Sequence, residues 1–161
     1  MAALISPNGR FRYWLTRGTP GRRVCFVMLN PSTADAEQDD PTIRRCLGFM
    51  ESWGFSELLV LNLYGFRATD PKDLKANHYP PGPDNGDHWR ELLPTAGLVV
   101  CAWGVNAQQH QVDYFRRVAA RLEIPLYCLG VTADEQPRHP LYLKADSLPE
   151  PWRPSCALYM P

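Results

Sequence analysis

Four apolar runs divide the chain into a regular alternation. Val24 to Leu29 is six consecutive apolar residues, Leu58 to Leu63 reads L-L-V-L-N-L, Leu98 to Ala102 is wholly apolar, and Ile124 to Leu129 is largely so. Runs of this length without polar alternation predict strands buried on both faces. Segments of helical period lie between them. Asp40 is a good N-cap and Pro41 suits the first helical position; Ile43, Leu47 and Met50 then recur at helical spacing to about Ser52, and Gly54 ends the helix. Further helices are expected from Asp84-Asn85 to about Leu93 and from Ala107 to Leu122. Before the first run, Arg10 to Arg17 alternates as a strand does after the turn Ser6-Pro7-Asn8-Gly9, which predicts an N-terminal hairpin or edge strand. The stretch holding Arg67, Asp70-Pro71 and Pro80 to Pro83 reads as a loop, and the tail from Gly130 onward as irregular.

Four strands alternating with three helices predict right-handed crossovers. The expected fold is α/β, a three-layer α/β/α sandwich around a central four-stranded parallel sheet, forming one domain over residues 1–161. In such sheets ligands bind beyond the carboxyl ends of the strands. The polar break Asn30-Pro31-Ser32-Thr33 directly after the first run therefore becomes a candidate site, although alone it is also an ordinary loop.

Composition narrows the function classes. A chain of 161 residues with 45% hydrophobic content can bury a core. No apolar run exceeds seven residues, so no membrane span is expected, and Met1 to Asn8 lacks the charged and apolar regions of a signal peptide. The five cysteines form no C-x-x-C pair, and three sit inside apolar runs; this points away from zinc or iron–sulfur sites and towards a reducing cytoplasm. Formal net charge is zero, unusual for a nucleic-acid binder, but its distribution is uneven. Residues 1–34 contain no acid and carry Arg10, Arg12, Arg17, Arg22 and Arg23; Asp35, Glu37, Asp39 and Asp40 follow at once. Such runs are either a solvated face or a local patch that holds phosphates.

Four polar features are expected at strand ends on one side of the sheet: Asn30, Asn62 with Tyr64, the segment Trp103 to Asn106, and the loop with His139-Pro140. An amide inside an apolar strand needs partners, so Asn62 either pairs with backbone or reads a base edge, offering donor and acceptor together. His139, between Pro137 and Pro140, is either an exposed loop residue or a donor to a developing oxyanion. Asp35, Asp39 and Asp40 could bind Mg²⁺, with capping by Asp40 as the simpler alternative. His78, His88 and His110 have no comparable context and are expected at the surface. No G-x-G-x-x-G, Walker loop or G-x-S-x-G is present, which sets aside dinucleotide, P-loop and esterase chemistry as first readings.

The ordered motifs N-P-S-T-A-D, D-D-P-T-I-R-R-C, N-L-Y-G-F-R-A-T-D-P, A-W-G and H-P-L-Y-L resemble a family of small bacterial and phage proteins of unknown function over Arg10 to Leu143. The order of elements is also similar to the uracil-DNA glycosylase superfamily. There a strand ends in Asp or Asn followed by proline, matched by Asn30-Pro31, and a later strand carries an Asn, matched by Asn62. A further strand ends in a glycine, often as W-G, matched by Trp103-Gly104, and a last motif close to H-P-S-P is matched by His139-Pro140, with Leu141-Tyr142 in place of Ser-Pro.

That resemblance implies a monofunctional DNA glycosylase working without cofactor or metal, a cytoplasmic monomer acting on double- or single-stranded DNA. Asn30 would position water and His139 would stabilise the departing base. Ser32, Thr33, Asp35, Asn62, Tyr64 and Phe66 would hold the base, with Tyr64 or Phe66 as its stacking platform. Arg67, Arg138 and Lys144 would hold the DNA backbone, and Leu141 or Tyr142 would wedge into the duplex. Uracil-specific members carry a bulky Tyr after the motif proline; Ser32 stands there in this chain, so a 5-modified pyrimidine of phage type, and hence antiviral defence, is the expectation. A hydrolase of free modified nucleosides or nucleotides and a non-catalytic nucleic-acid binding module stay open beside it.

Overall fold

The computed structural model describes residues 1–158. Its strands are β1 (Ala2–Ile5), β2 (Arg12–Gly18), β3 (Arg23–Met28), β4 (Glu57–Asn62), β5 (Leu98–Cys101), β6 (Tyr127–Cys128) and β7 (Glu150–Pro151); its helices are α1 (Pro41–Ser52), α2 (Pro71–Ala76), α3 (Asn85–Leu92) and α4 (Gln109–Arg121). The strands form one seven-stranded mixed sheet in the order β1-β2-β4-β3-β5-β6-β7. Pairing is parallel between β4 and β3, β3 and β5, and β5 and β6, and antiparallel at β1–β2, β2–β4 and β6–β7. The sheet is thus mixed and seven-stranded where a four-stranded parallel sheet was expected. The N-terminal hairpin attaches through β2 to β4, and the tail adds β7 at the far edge.

Strand parity explains the two cores. Val24, Phe26, Met28, Leu58, Val60 and Val100 face one side and pack with Ile43, Cys46, Phe49 and Met50 of α1. Cys25, Val27, Leu59, Leu61, Val99 and Cys101 face the other, against Leu74 of α2, Trp89 of α3 and Val112, Phe115 and Val118 of α4. Helices cover both faces, which is why the central strands read as unbroken apolar runs.

The start of α1 is as the sequence predicts: Asp40 Oδ1 accepts from the Ile43 N–H at 2.9 Å and Pro41 opens the helix. The same Asp-Pro signal recurs at Asp70-Pro71, where Asp70 caps α2, a short helix inside the expected loop. The strand expected over Ile124 to Leu129 shrinks to two residues. Pro125 has no N–H for the ladder, and only Tyr127 pairs with β5. The tail is not wholly irregular: Pro140–Tyr142 is a 3₁₀ turn capped by His139, and the Trp152 N–H donates to Leu126 O at 2.9 Å. Its last residues, 159–161, lie outside the described residues. Among the described residues no helix is long and apolar enough to cross a membrane. Cys25, Cys46, Cys101 and Cys128 are buried free thiols, and burial pushes all four up, away from reactivity.

Candidate active site

A cavity of about 610 Å³ opens at the carboxyl ends of β3, β4 and β5, on the α1 side of the sheet. That volume suits a small organic ligand. Asn30, Ser32, Thr33, Asn62, Arg138, His139, Leu141 and Tyr142 all border it, joined by Arg12, Asp40, Thr69 and the Trp103–Asn106 segment.

Asn62 ends β4 on the α1 face, in step with Leu58 and Val60. Its side chain is buried, and neither Nδ2 nor Oδ1 has a partner. The backbone behind it is the opposite case. Asn62 O accepts from Asn85 Nδ2 at 3.0 Å and Trp89 Nε1 at 3.0 Å, while Leu63 O accepts from Asn85 Nδ2 at 3.1 Å and Gln111 Nε2 at 2.7 Å. Side chains from α3 and α4 thus anchor the strand end from one face and aim an unsatisfied amide into the cavity on the other. Buried polar groups are nearly always paired, and an unpaired one costs about 1–3 kcal/mol. Nothing within the described protein supplies that pairing.

Asn30 behaves differently. Its Nδ2 donates to Ala68 O at 2.8 Å, Pro31 O at 3.0 Å and Phe66 O at 3.4 Å. The amide therefore clamps the loop after β3 to the loop after β4. Its nitrogen is committed, and its oxygen is left as an acceptor at the cavity wall.

His139 caps the 3₁₀ turn: its Nδ1 accepts from the Leu141 N–H at 3.3 Å. The proton of the neutral ring then sits on Nε2, which makes the second nitrogen a donor. Burial lowers the His139 pKa below its ordinary value, and nearby Asp40 opposes the shift. Three ties hold this loop. Arg45 of α1 donates from Nε to Pro140 O at 3.4 Å and from Nη2 to Leu143 O. The Gly104 N–H donates to Pro137 O at 2.8 Å, and Trp103 Nε1 donates to Gln136 Oε1 at 3.0 Å. Gly104 makes its turn with φ of 76°, the left-handed region that suits glycine.

Several expected roles are corrected. Tyr64 is buried on the opposite face of the sheet, its ring 5.5 Å from Tyr79 and its hydroxyl accepting from the Gln108 N–H at 3.0 Å. Phe66 packs edge-on against Phe11 outside the cavity. Neither is a stacking platform there; Tyr142, exposed at the mouth with its ring 5.7 Å from His139, is the aromatic side chain that is free to stack. Asp35 does not border the cavity. Its Oδ1 accepts from the Glu37 and Gln38 N–H groups at 2.8 Å each, and these bonds hold its carboxyl below the usual range.

The basic run is not a phosphate patch. Arg12 and Arg17 are buried, Arg23 is paired bidentately with Glu57, and Arg22 stacks on Phe55. Arg17 binds Asp39 at 2.6 Å and the carbonyls of Asp35 and Gln38, while Arg12 Nη1 donates to Ala34 O at 2.7 Å. The arginines and the acids that follow them in sequence are partners in holding the loop from Ala34 to Asp39. Asp35, Asp39 and Asp40 go to a turn, an ion pair and a cap. Among the described residues no three His, Cys, Asp or Glu side chains gather where a metal ion could be held.

Arg67 lies in a neighbouring groove of about 490 Å³ that shares Ser32, Thr33, Ala68 and Thr69 with the cavity; Lys144 is exposed and borders neither. His88 is not a plain surface residue, since its ring lies 5.1 Å from Tyr13 and its Nδ1 is buried. Arg12 and Arg45 were not legible as site residues. Regular alternation in R-F-R-Y-W-L-T-R puts Arg12 on the face opposite Leu15, so the pattern held no signal for the first, and nothing in the sequence marked the second.

A family model for proteins of unknown function, DUF1643, matches residues 12–141. The chain belongs to the DUF1643 family. The matched span takes in every residue that borders the cavity except Tyr142. The family description carries no activity. Neither a curated protein nor a solved structure matches the chain.

Proposed function

We propose that this DUF1643 protein is a monofunctional DNA glycosylase that hydrolyses the N-glycosidic bond of a 5-modified pyrimidine and leaves an abasic site. The buried, unpartnered Asn62 amide carries the reading. A rigid donor–acceptor pair at a strand end suits the hydrogen-bonding edge of a base turned out of its stack. The motif order shared with the uracil-DNA glycosylase superfamily supports it from the sequence side.

The chemistry follows from the groups present. The bond from C1′ to the base nitrogen breaks, its electron pair leaves with the base, and the sugar becomes oxocarbenium-like. The oxygen of a water bonds C1′, and the water's proton ends on the base. Asn30 Oδ1 accepts a hydrogen bond from that water and orients it; a cationic sugar needs little activation of its nucleophile. His139, neutral with its proton on Nε2, donates to the charge growing on the base.

Ser32 and Thr33 leave space beside the base for a 5-substituent and can bond hydroxyls on it, and the groove they share with Arg67 extends that space. Exposed Leu141, Tyr142 and Val105 form an apolar rim at the mouth, which suits contact with neighbouring bases and favours a polymer over a free nucleoside. Arg138 at the rim and Lys144 beyond it would meet the backbone. Buried thiols without disulfides suit a reducing compartment, and modified phage DNA as substrate would place the activity in antiviral defence.

The test is release of base from duplexes of one sequence carrying glucosylated or unglucosylated 5-hydroxymethylcytosine, or uracil. Abasic sites are read as alkali-labile breaks and the released base by mass spectrometry. Fastest release from a 5-modified substrate is expected. Release only from free nucleosides would move the reading to a small-molecule hydrolase. No release from any substrate, with binding retained, would leave a nucleic-acid binding module.

A further inference from the structure

β2 carries a departure from regular pairing. β1 pairs Leu4 with Trp14 and then Ile5 with Arg12, so Tyr13 is an extra residue on β2. Parity inverts across such a bulge. Leu15 and Arg17 face α1 in the regular part of the strand; at the bulge, Tyr13 turns away from the cavity and is buried against Phe11 and His88, and Arg12 turns inward to the cavity. A bulge that re-aims one side chain beside a cavity is a recurring device at functional sites.

The re-aimed side chain is unusual in its burial and its bonding. Arg12 is 2% exposed, yet its Nε has no partner. The side chain's sole hydrogen bond goes from Nη1 to Ala34 O, and no carboxylate forms an ion pair with it among the described residues. Arg17, two turns of the pleat away, is the contrast, with Asp39 and three carbonyls around it. Burial brings the Arg12 pKa down to about 10, so the group stays cationic near neutrality. A buried cation without a full set of partners is costly unless something else completes it. Structural stability alone would favour an apolar side chain at this position.

We infer that Arg12 is a catalytic residue that donates to the anionic base as it leaves, a second stabiliser opposite His139. This rests on the glycosylase reading of the cavity. As the bond between C1′ and the base nitrogen breaks, its electron pair spreads onto the ring nitrogen and carbonyl oxygens of the base. A guanidinium offers only donors, so it complements those atoms better the more charge they carry. Neutral His139 supplies one donor without net charge, and Arg12 supplies a buried positive charge at the cavity wall, which Arg138 at the exposed rim does not. Water then delivers oxygen to C1′ and its proton to the base, and Arg12 is unchanged at the end of the cycle.

Calorimetry with the whole protein tests this. Two free bases serve as probes, uracil, neutral near neutrality, and 5-nitrouracil, which is anionic there. The wild type should bind the anion at least about tenfold more tightly, and Arg12→Met should lose that preference while binding uracil nearly as before. Arg12→Lys should keep part of it. In parallel, base release from duplexes with pyrimidines of graded acidity should fall about 10²–10³-fold in Arg12→Met for the least acidic base and less for the most acidic, giving a steeper dependence on leaving-base acidity. A purely structural role would lower all substrates equally. Equal wild-type affinity for the two probes, a preference retained in a folded Arg12→Met, or parallel acidity lines would overturn the inference while base release by the wild type kept the glycosylase reading standing. If neither variant folds, the wild-type preference decides alone. A wild type that binds neither base and releases none overturns both.

Discussion

Substituting Asn62 by Leu separates function from stability. The side chain is 1% exposed, both its polar atoms lack partners, and its backbone carbonyl is held by Asn85 and Trp89 regardless of the side chain. Leu keeps the branched shape and removes the two unpaired groups. At about 1–3 kcal/mol each these would sum to roughly 2–6 kcal/mol in a dry site. The open cavity returns part of this through solvent, and the β-sheet position accepts Leu readily, so a net gain of about 1–3 kcal/mol is expected. For a chain of this length that is an upward shift in Tm of roughly 2–12 °C. Urea denaturation followed by tryptophan fluorescence gives the free energy, and the base-release assay gives the activity. Leu should be more stable than the wild type and inactive. Destabilisation by more than about 1 kcal/mol would mean that the amide is already satisfied in the unliganded protein, and the argument that it awaits a ligand would fail.

Asn30→Ala should destabilise the protein by about 1–3 kcal/mol as well as slow base release, because its Nδ2 bridges three carbonyls; denaturation midpoints beside single-turnover rates would show both, and unchanged stability would refute the clamp. Arg45→Ala should lower kcat through the loosened His139 loop and leave uracil binding by calorimetry nearly unchanged; an equal loss in both would argue for a direct contact instead. The lowered His139 pKa has a definite sign: the unfolded chain takes up the proton at a higher pH than the folded one, so stability is intact above the ordinary imidazole range, near 6.5, and declines as pH falls through it. Denaturation across that range should show the decline, and His139→Gln should flatten it. Base release by the wild type should fall on the same acid side, where the imidazole becomes charged; activity that rises there would reverse the protonation state assigned to His139.

The central strands and α1 were legible because their causes are local. A strand covered on both faces must be apolar throughout, and Asp40-Pro41 caps and opens a helix whatever surrounds it. The location of the cavity followed from the same logic, since parallel strands of one sheet end on one side. The seven-strand count was not legible, because β1 and β7 are short edges whose existence depends on what they pair with. α2 was missed although Asp70-Pro71 repeats the Asp40-Pro41 signal, because only Leu74 is buried and one apolar residue gives no period.

The side chains in the cavity divide along the same line. Asn62 could be singled out because a polar residue interrupting an apolar strand is conspicuous in the sequence itself. Tyr64 looked similar by position but lies past the end of β4, where the chain turns and parity no longer predicts the face. The five early arginines read as one patch, since a one-dimensional count of charge cannot distinguish a cation held inside by Asp39, one paired with Glu57 at the amino ends of β3 and β4, and one left incomplete under a cavity. Arg12 is the hardest case. Its alternation with Tyr13 and Leu15 assigns it to the face opposite Leu15 only if the strand is regular, and the extra residue at Tyr13 puts it on the other side of that prediction. A regular strand would have given the cavity the Tyr13 phenol and left Arg12 outside. Giving Tyr13 a partner, by inserting one residue between Leu4 and Ile5 of β1, should therefore make the strand pair regular and eject the guanidinium from the cavity while keeping β1–β2 pairing, and base release should fall as it does in Arg12→Met. Retained activity in the folded insertion variant would show that the position of Arg12, and not merely its presence, had been misjudged.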